Sequence, residues 1–191
     1  MEGTIQKQPT ERKKIHPHKF ALWVAMGSIT MMFAGFTSAY IVREAQGNWV
    51  RYTLPVIFWI STGVIILSSV TMAMGVKAYK KEEMAKYRNL IAITLFLGVL
   101  FGVMQYIGFK QLYGKNIRLD GNPSESFLFI ITGVHLAHIL GGVIALLVAY
   151  LKTFIKKVRV HNPTGIEVLA SYWHFVDVLW LYLFVFFIVN Q

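Results

Sequence analysis

Residues 171–191 read SYWHFVDVLWLYLFVFFIVNQ, a run apolar enough to sit in lipid that still carries His174 and Asp177 three positions apart. At about 3.6 residues per turn both fall on one face of a helix, and the same row continues back through Ser171 to Glu167. A carboxylate at membrane depth costs about 2.5–3.5 kcal/mol, so it turns toward protein and finds a partner. The polar stripe therefore predicts a bundle whose other helices receive this face.

Composition agrees with a membrane protein. The 191 residues are 55% hydrophobic and 15% charged, with a mean hydropathy of +0.53, too apolar for an ordinary soluble domain. The absence of cysteine excludes disulfides and thiolate-ligated metal centres. The formal charge of +10 does not point to nucleic acid, because the basic residues alternate with long apolar spans. Nor does the start of the chain read as a cleavable leader, since a polar stretch precedes an apolar run longer than a leader's.

The sequence predicts an all-α, polytopic fold: a basic cytoplasmic arm over residues 1–19, then one domain of five transmembrane helices over 20–191. The apolar runs are 20–42, 54–76, 90–109, 127–151 and 168–189, each near the ~20 residues that cross a hydrocarbon core. The loop from Lys110 to Glu125, with Gly114, Gly121 and Pro123, reads as a polar excursion on the outer side.

Charge sets the orientation. Lys7, Arg12, Lys13, Lys14 and Lys19 in the arm, Lys77, Lys80, Lys81, Lys86 and Arg88 in the second loop, and Lys152, Lys156, Lys157 and Arg159 in the fourth fall on one side, 14 of the 19 basic residues. The opposite side has Arg43, Arg51, Lys110, Lys115 and Arg118. The positive-inside rule then places the N-terminus in the cytoplasm and the C-terminus in the periplasm.

Small residues at four-residue spacing let helix backbones approach closely in lipid. Gly98 and Gly102 form such a pair, Gly27 and Gly35 with Ala39 make a second row, and Ala137, Gly141, Ala145 and Ala149 a third. The aromatic residues Tyr172, Trp173, Trp180 and Tyr182 read as packing or interface groups, and Gln105 as an interhelical hydrogen-bonding group.

The fourth apolar run holds His135 and His138, again three apart, with Thr132 one turn earlier. Counted at ~1.5 Å per residue, His138 lies about 18 Å and Asp177 about 15 Å from the inner ends of their helices. The matching depths suggest that Asp177 is hydrogen-bonded to His138 or His135, each offsetting the other's desolvation; Asp177→Asn then lowers stability or assembly markedly. Two sharper readings compete: His138 and His174 as axial haem ligands, or a proton relay along the His and Asp side chains. The residues show no nucleophile with its base, no phosphate loop and no complete metal-ligand set.

Tyr172-Trp173-His174-Phe175-Val176-Asp177-Val178-Leu179-Trp180, preceded by Glu167, is similar to the last-helix signature of subunit III of the haem-copper respiratory oxidases. Thr132-Gly133-Val134-His135-Leu136-Ala137-His138 resembles the T-G-x-H-x-x-H run of that family's preceding helix. Weaker similarity extends over 20–189, including Phe33-Ala34-Gly35, Ala39-Tyr40, Leu97-Gly98 and Gln105. The full-length family has seven helices, and five here correspond to the last five, as in its shorter members. Where many members carry intramembrane acids, this chain has Ile29 and Gly108.

The resemblance implies a non-catalytic subunit of a proton-pumping oxidase that reduces dioxygen to water, drawing electrons from cytochrome c, in the bacterial inner membrane. It implies no haem, copper or other cofactor in this chain, haem and copper in partner subunits, packing against catalytic subunit I, bound phospholipid, and support of proton uptake. Glu167, His135, His138, His174 and Asp177 would form an internal structural network, with Gly98, Gly102, Gly141 and Ala145 at helix contacts. Other readings of the same residues are a haem b-binding anchor of a quinone-linked oxidoreductase and a proton-coupled transporter.

Overall fold

A computed structural model describes residues 17–47, 49, 53–115, 117, 121–155 and 164–190. Most of the expected arm, and with it Lys156, Lys157, Arg159, Arg51 and Arg118 of the loops, lies outside the described residues.

Five helices account for the fold: α1 (Pro17–Glu44), α2 (Val56–Lys80), α3 (Met84–Gly114), α4 (Pro123–Ile155) and α5 (Thr164–Val189). All five are long and apolar enough to cross a membrane. Each extends beyond its apolar run, most clearly α3, which takes in Lys110–Gly114, expected as loop. Hydropathy marks only the part of a helix in hydrocarbon; the hydrogen-bonded ladder continues into the interface, where polar side chains are solvated.

The helix ends follow local chemistry. Asn122 Oδ1 accepts from the Ser124 backbone N–H at 3.1 Å, so Asn122 caps α4, with Pro123 at the first helical position, where no donor is needed. The α2–α3 turn is closed by hydrogen bonds from Glu83 N to Ala78 O (3.0 Å) and from Glu82 N to Tyr79 O (3.1 Å), with Glu82 in the left-handed region at φ 62°.

α2 and α3 pack as a tight antiparallel hairpin; α3 also meets α4, α4 meets α5, and α5 returns to α2. The four close a ring around the aromatic side chains of α5. Trp173 and Trp180 are the largest fully buried residues. α1 sits outside this ring against α4 and α5, through Phe33, Thr37 and Tyr40.

The rows of small residues divide. Gly98 is an interface: a Cβ there would stand 2.7 Å from Trp173 Cη2. Gly102 is looser, with Leu136 Cδ1 at 3.9 Å. In α4 the close approach belongs to Gly142, where a Cβ would meet Trp173 Cζ3 at 2.9 Å. Gly141 is exposed, with Tyr172 Oη 3.9 Å from its Cβ position, and Ala145 lines a crevice. Gly27, Gly35 and Ala39 face outward, and nothing lies within 4 Å of the Cβ positions at the two glycines. The expected row at α1 is thus displaced from the helix contacts, and in α4 the crowded position is Gly142 rather than Gly141, because the aromatic residues of the partner helix decide which small residue is crowded.

Candidate functional site

The polar face of α5 is received mainly by α2. Trp173 Nε1 donates to Ser68 Oγ at 3.1 Å, Trp180 Nε1 donates to Thr62 Oγ1 at 3.0 Å, and His174 Nδ1 lies 2.6 Å from Ser69 Oγ. Other α2 hydroxyls reach α3: Gln105 Nε2 donates to Ser61 Oγ at 3.0 Å, and the Thr71 and Thr94 hydroxyls meet at 2.9 Å. Indole and hydroxyl groups in hydrocarbon need partners, and each contact joins two helices. Gln105 therefore does bond between helices, as its type suggested.

The five residues expected to form one network lie in separate places. Glu167, on the first turn of α5, bonds Lys19 of α1 at 2.8 Å and Lys80 of α2 at 2.7 Å, fastening three helices at the lysine-bearing end. His174 faces α2. His138 Nδ1 binds the Val134 carbonyl of its own helix at 2.8 Å, its ring lies 5.9 Å from Phe33, and its carbonyl accepts from Tyr172 Oη at 3.1 Å. His135 is fully buried, stacked on Trp180 at 5.3 Å and met by the edges of Phe33 and Phe101, each at 6.3 Å. Neither of its ring nitrogens has a hydrogen-bond partner among the described residues.

Asp177 is 3% exposed, and among the described residues its carboxylate oxygens make no hydrogen bond within 3.5 Å. The expected pairing of Asp177 with His135 or His138 is therefore absent. Equal depth does not ensure contact: His135 is enclosed by the rings of Phe33, Phe101 and Trp180, and His138 is bonded to its own helix beside Phe33. The hydroxyl residues that do receive α5 were missed, although Ser61 and Thr62 followed seven residues later by Ser68 and Ser69 form a two-turn repeat on one helix face.

The two replacements for acids have physical settings. A Cβ at Gly108 would stand 2.8 Å from Phe58 Cε2, so a ring occupies the space of a side chain there. Ile29 is partly buried against the core.

Two crevices open at the lysine-bearing end. One, of about 560 Å³, lies between α1, α2 and α5, with Lys19, Lys77, Lys80 and Glu167 on its walls and His174 lining it. The other, of about 550 Å³, is walled by α1, α4 and α5 over Tyr79, Tyr87 and Tyr172, with Lys152 on its lining. A third, apolar groove of about 290 Å³ runs between α3 and α4 over Gly98 and Gly102. Among the described residues no three His, Asp or Glu side chains converge as metal ligands.

A family model described as cytochrome c oxidase subunit III matches residues 31–190. A probable cytochrome c oxidase subunit 3 of Nocardia farcinica is 32% identical over 173 residues, covering 85% of this chain and 82% of the relative. A cytochrome c oxidase subunit 3 of Corynebacterium diphtheriae is 32% identical over 167 residues, 81% of this chain and 79% of the relative. One from Thermostichus vulcanus is 29% identical over 199 residues, with 96% of each chain covered.

Proposed function

Because the chain belongs to the cytochrome c oxidase subunit III family, as a membrane subunit of a haem-copper oxidase associated with other oxidase subunits, we propose that its own work is structural. It packs against catalytic subunit I, holds phospholipid and supports proton uptake, while haem and copper reside in partner subunits. The observation that carries this reading is the use of the polar groups of α5: Trp173, Trp180 and His174 are each committed to an α2 hydroxyl, and Glu167 to two lysines. Polar side chains held this way fix helix positions and leave few groups free for chemistry.

The histidines support it too. The aromatic rings around His135 leave no open face for a macrocycle, and His138 and His174 bond to different helices. For lipid, the crevice lined by Lys19, Lys77 and Lys80 offers cations to a headgroup phosphate beside apolar walls from Leu22, Trp23 and Val76. The same lysines give the orientation, lysine-bearing end toward the cytoplasm, with residues 1–19 as an arm on that side.

The test is to prepare the oxidase with and without this chain. The complex lacking it is expected to keep its haem absorption bands and to begin turnover, then to lose phospholipid, stability or sustained proton uptake. Loss of a haem band on removal, or a Soret band in the purified chain, would overturn the reading.

A further inference from the structure

The crevice between α1, α2 and α5 holds a polar group besides its charged mouth. Its lining runs from Lys19, Lys80 and Glu167 to His174, which follows Glu167 by seven residues along α5. At ~1.5 Å per residue that is about 10 Å deeper. The interfacial layer of one leaflet is about 5–8 Å thick. With the lysine ammonium groups among the phosphates, His174 therefore stands at the inner edge of that layer, where ester groups join the glycerol of a phospholipid to its acyl chains. Leu22, Trp23, Ala73 and Val76 make the walls between the two levels apolar.

The imidazole is held in one orientation. Its Nδ1 lies 2.6 Å from Ser69 Oγ and is the hydrogen-bond partner of that hydroxyl among the described residues. The hydroxyl therefore donates to Nδ1, which leaves the ring proton on Nε2. Nε2 bonds none of the described groups, yet it is not sealed in as the nitrogens of His135 are, because the ring is partly exposed and lines the crevice. A donor at this depth has little water to bond and is costly without an acceptor.

We propose that His174 reads the ester linkage of a phospholipid seated in this crevice, its Nε2–H donating to an ester carbonyl oxygen while the lysines meet the headgroup phosphate. Charge fits that occupant: Lys19 and Lys80 share the single carboxylate of Glu167, and Lys77 adds a third ammonium to the lining, so the mouth carries an excess of positive charge. The inference rests on the crevice being a phospholipid site and adds a contact that selects by linkage. An ether-linked lipid offers the same phosphate and the same chains, with no carbonyl to accept the proton. Ser69 is a positioning residue here, since it fixes which ring nitrogen carries the hydrogen.

The experiment is lipid binding to the full-length chain in detergent, followed by native mass spectrometry, with two probes: phosphatidylglycerol carrying ester-linked chains, and its ether-linked analogue of equal chain length. The parent is expected to hold the ester lipid about fivefold more tightly, the usual worth of one hydrogen bond. His174→Phe, or His174→Leu should the first not fold, is expected to bind both lipids alike, at the level of the ether lipid in the parent. Lys77→Gln is expected to weaken both by the same factor, about fivefold for one cation, and to keep the preference. Equal binding of the two lipids by the parent, with both weakened in Lys77→Gln, would overturn the ester contact and leave the crevice a phospholipid site. A preference that survives loss of the imidazole would overturn it equally. Binding of neither lipid would remove the phospholipid site and the ester contact together.

Discussion

The indole of Trp173 occupies the space that Gly98 leaves open: a Cβ at Gly98 would stand 2.7 Å from Trp173 Cη2 and 3.0 Å from Cζ2. The ring has no room to retreat, because Gly142 faces its other edge with a Cβ position 2.9 Å from Cζ3 and its Nε1 is bonded to Ser68 Oγ. Three helices therefore meet on one side chain.

Gly98→Ala is expected to destabilise the bundle by about 1–3 kcal/mol, the usual range for overpacking a filled core. Adding Trp173→Phe should recover part of that loss by shrinking the ring. Gly35→Ala, on the outward face of α1 with nothing within 4 Å, should leave stability unchanged or slightly raised. Thermal unfolding in detergent, followed by helical dichroism, checks all three. A tolerated Gly98→Ala with a damaging Gly35→Ala would reverse the roles assigned to the two glycines.

His135 carries two buried nitrogens without partners among the described residues, in a site made of the rings of Phe33, Phe101 and Trp180. Replacing an unsatisfied polar group by an apolar one of similar shape is near neutral or stabilising. His135→Phe is therefore expected to hold or raise the unfolding temperature, whereas His135→Ala, which opens a cavity beside Trp180, should lower stability by about 2–5 kcal/mol. A sharp loss in His135→Phe would mean that the imidazole nitrogens hold something the aromatic walls do not supply.

Much of the architecture was legible in the sequence because helix formation in lipid leaves a long, unambiguous apolar run for each span. The five runs correspond one to one with α1–α5. Contacts were less legible. A polar stripe tells which face of α5 is buried, yet not which neighbour receives it, and the match in depth favoured His138 over the serines of α2. Ser68 and Ser69 bear small, common side chains that gain meaning only once Trp173 and His174 are seen against them. Glycine spacing had the same weakness: Gly141 fits the four-residue row, but its neighbour Gly142 meets the indole.

Glu167 holds Lys19 and Lys80 together at the end of the bundle, and both lysines are substantially exposed. Exposed pairs are worth about 0.2–1 kcal/mol each and are screened by salt. Glu167→Gln should therefore lower the unfolding temperature by a small amount at low ionic strength, with parent and variant converging in high salt. Because Lys19 is the only one of the pair on α1, susceptibility of α1 to added protease should rise in the same variant. A gap that persists in high salt would mean that Glu167 acts through packing.

Glu82 has a left-handed backbone, φ 62°, at the end of α2, where the turn into α3 closes through Glu83 N to Ala78 O and Glu82 N to Tyr79 O. That pair of bonds is the helix-ending motif in which glycine is preferred, since a Cβ opposes the left-handed conformation. The turn is tight because Tyr79 and Tyr87 meet edge to face at 5.0 Å just inside it, so the backbone cannot relax without parting the two rings. Glu82→Gly removes the Cβ and also loosens the unfolded chain, two effects of opposite sign. The first is larger where the native φ is fixed, and the net expectation is stabilisation by about 1 kcal/mol. Glu82→Ala, which keeps the Cβ, should give none of this gain. Unfolding temperatures of the two variants side by side separate backbone strain from loss of the carboxylate: equal shifts in both would assign the effect to charge.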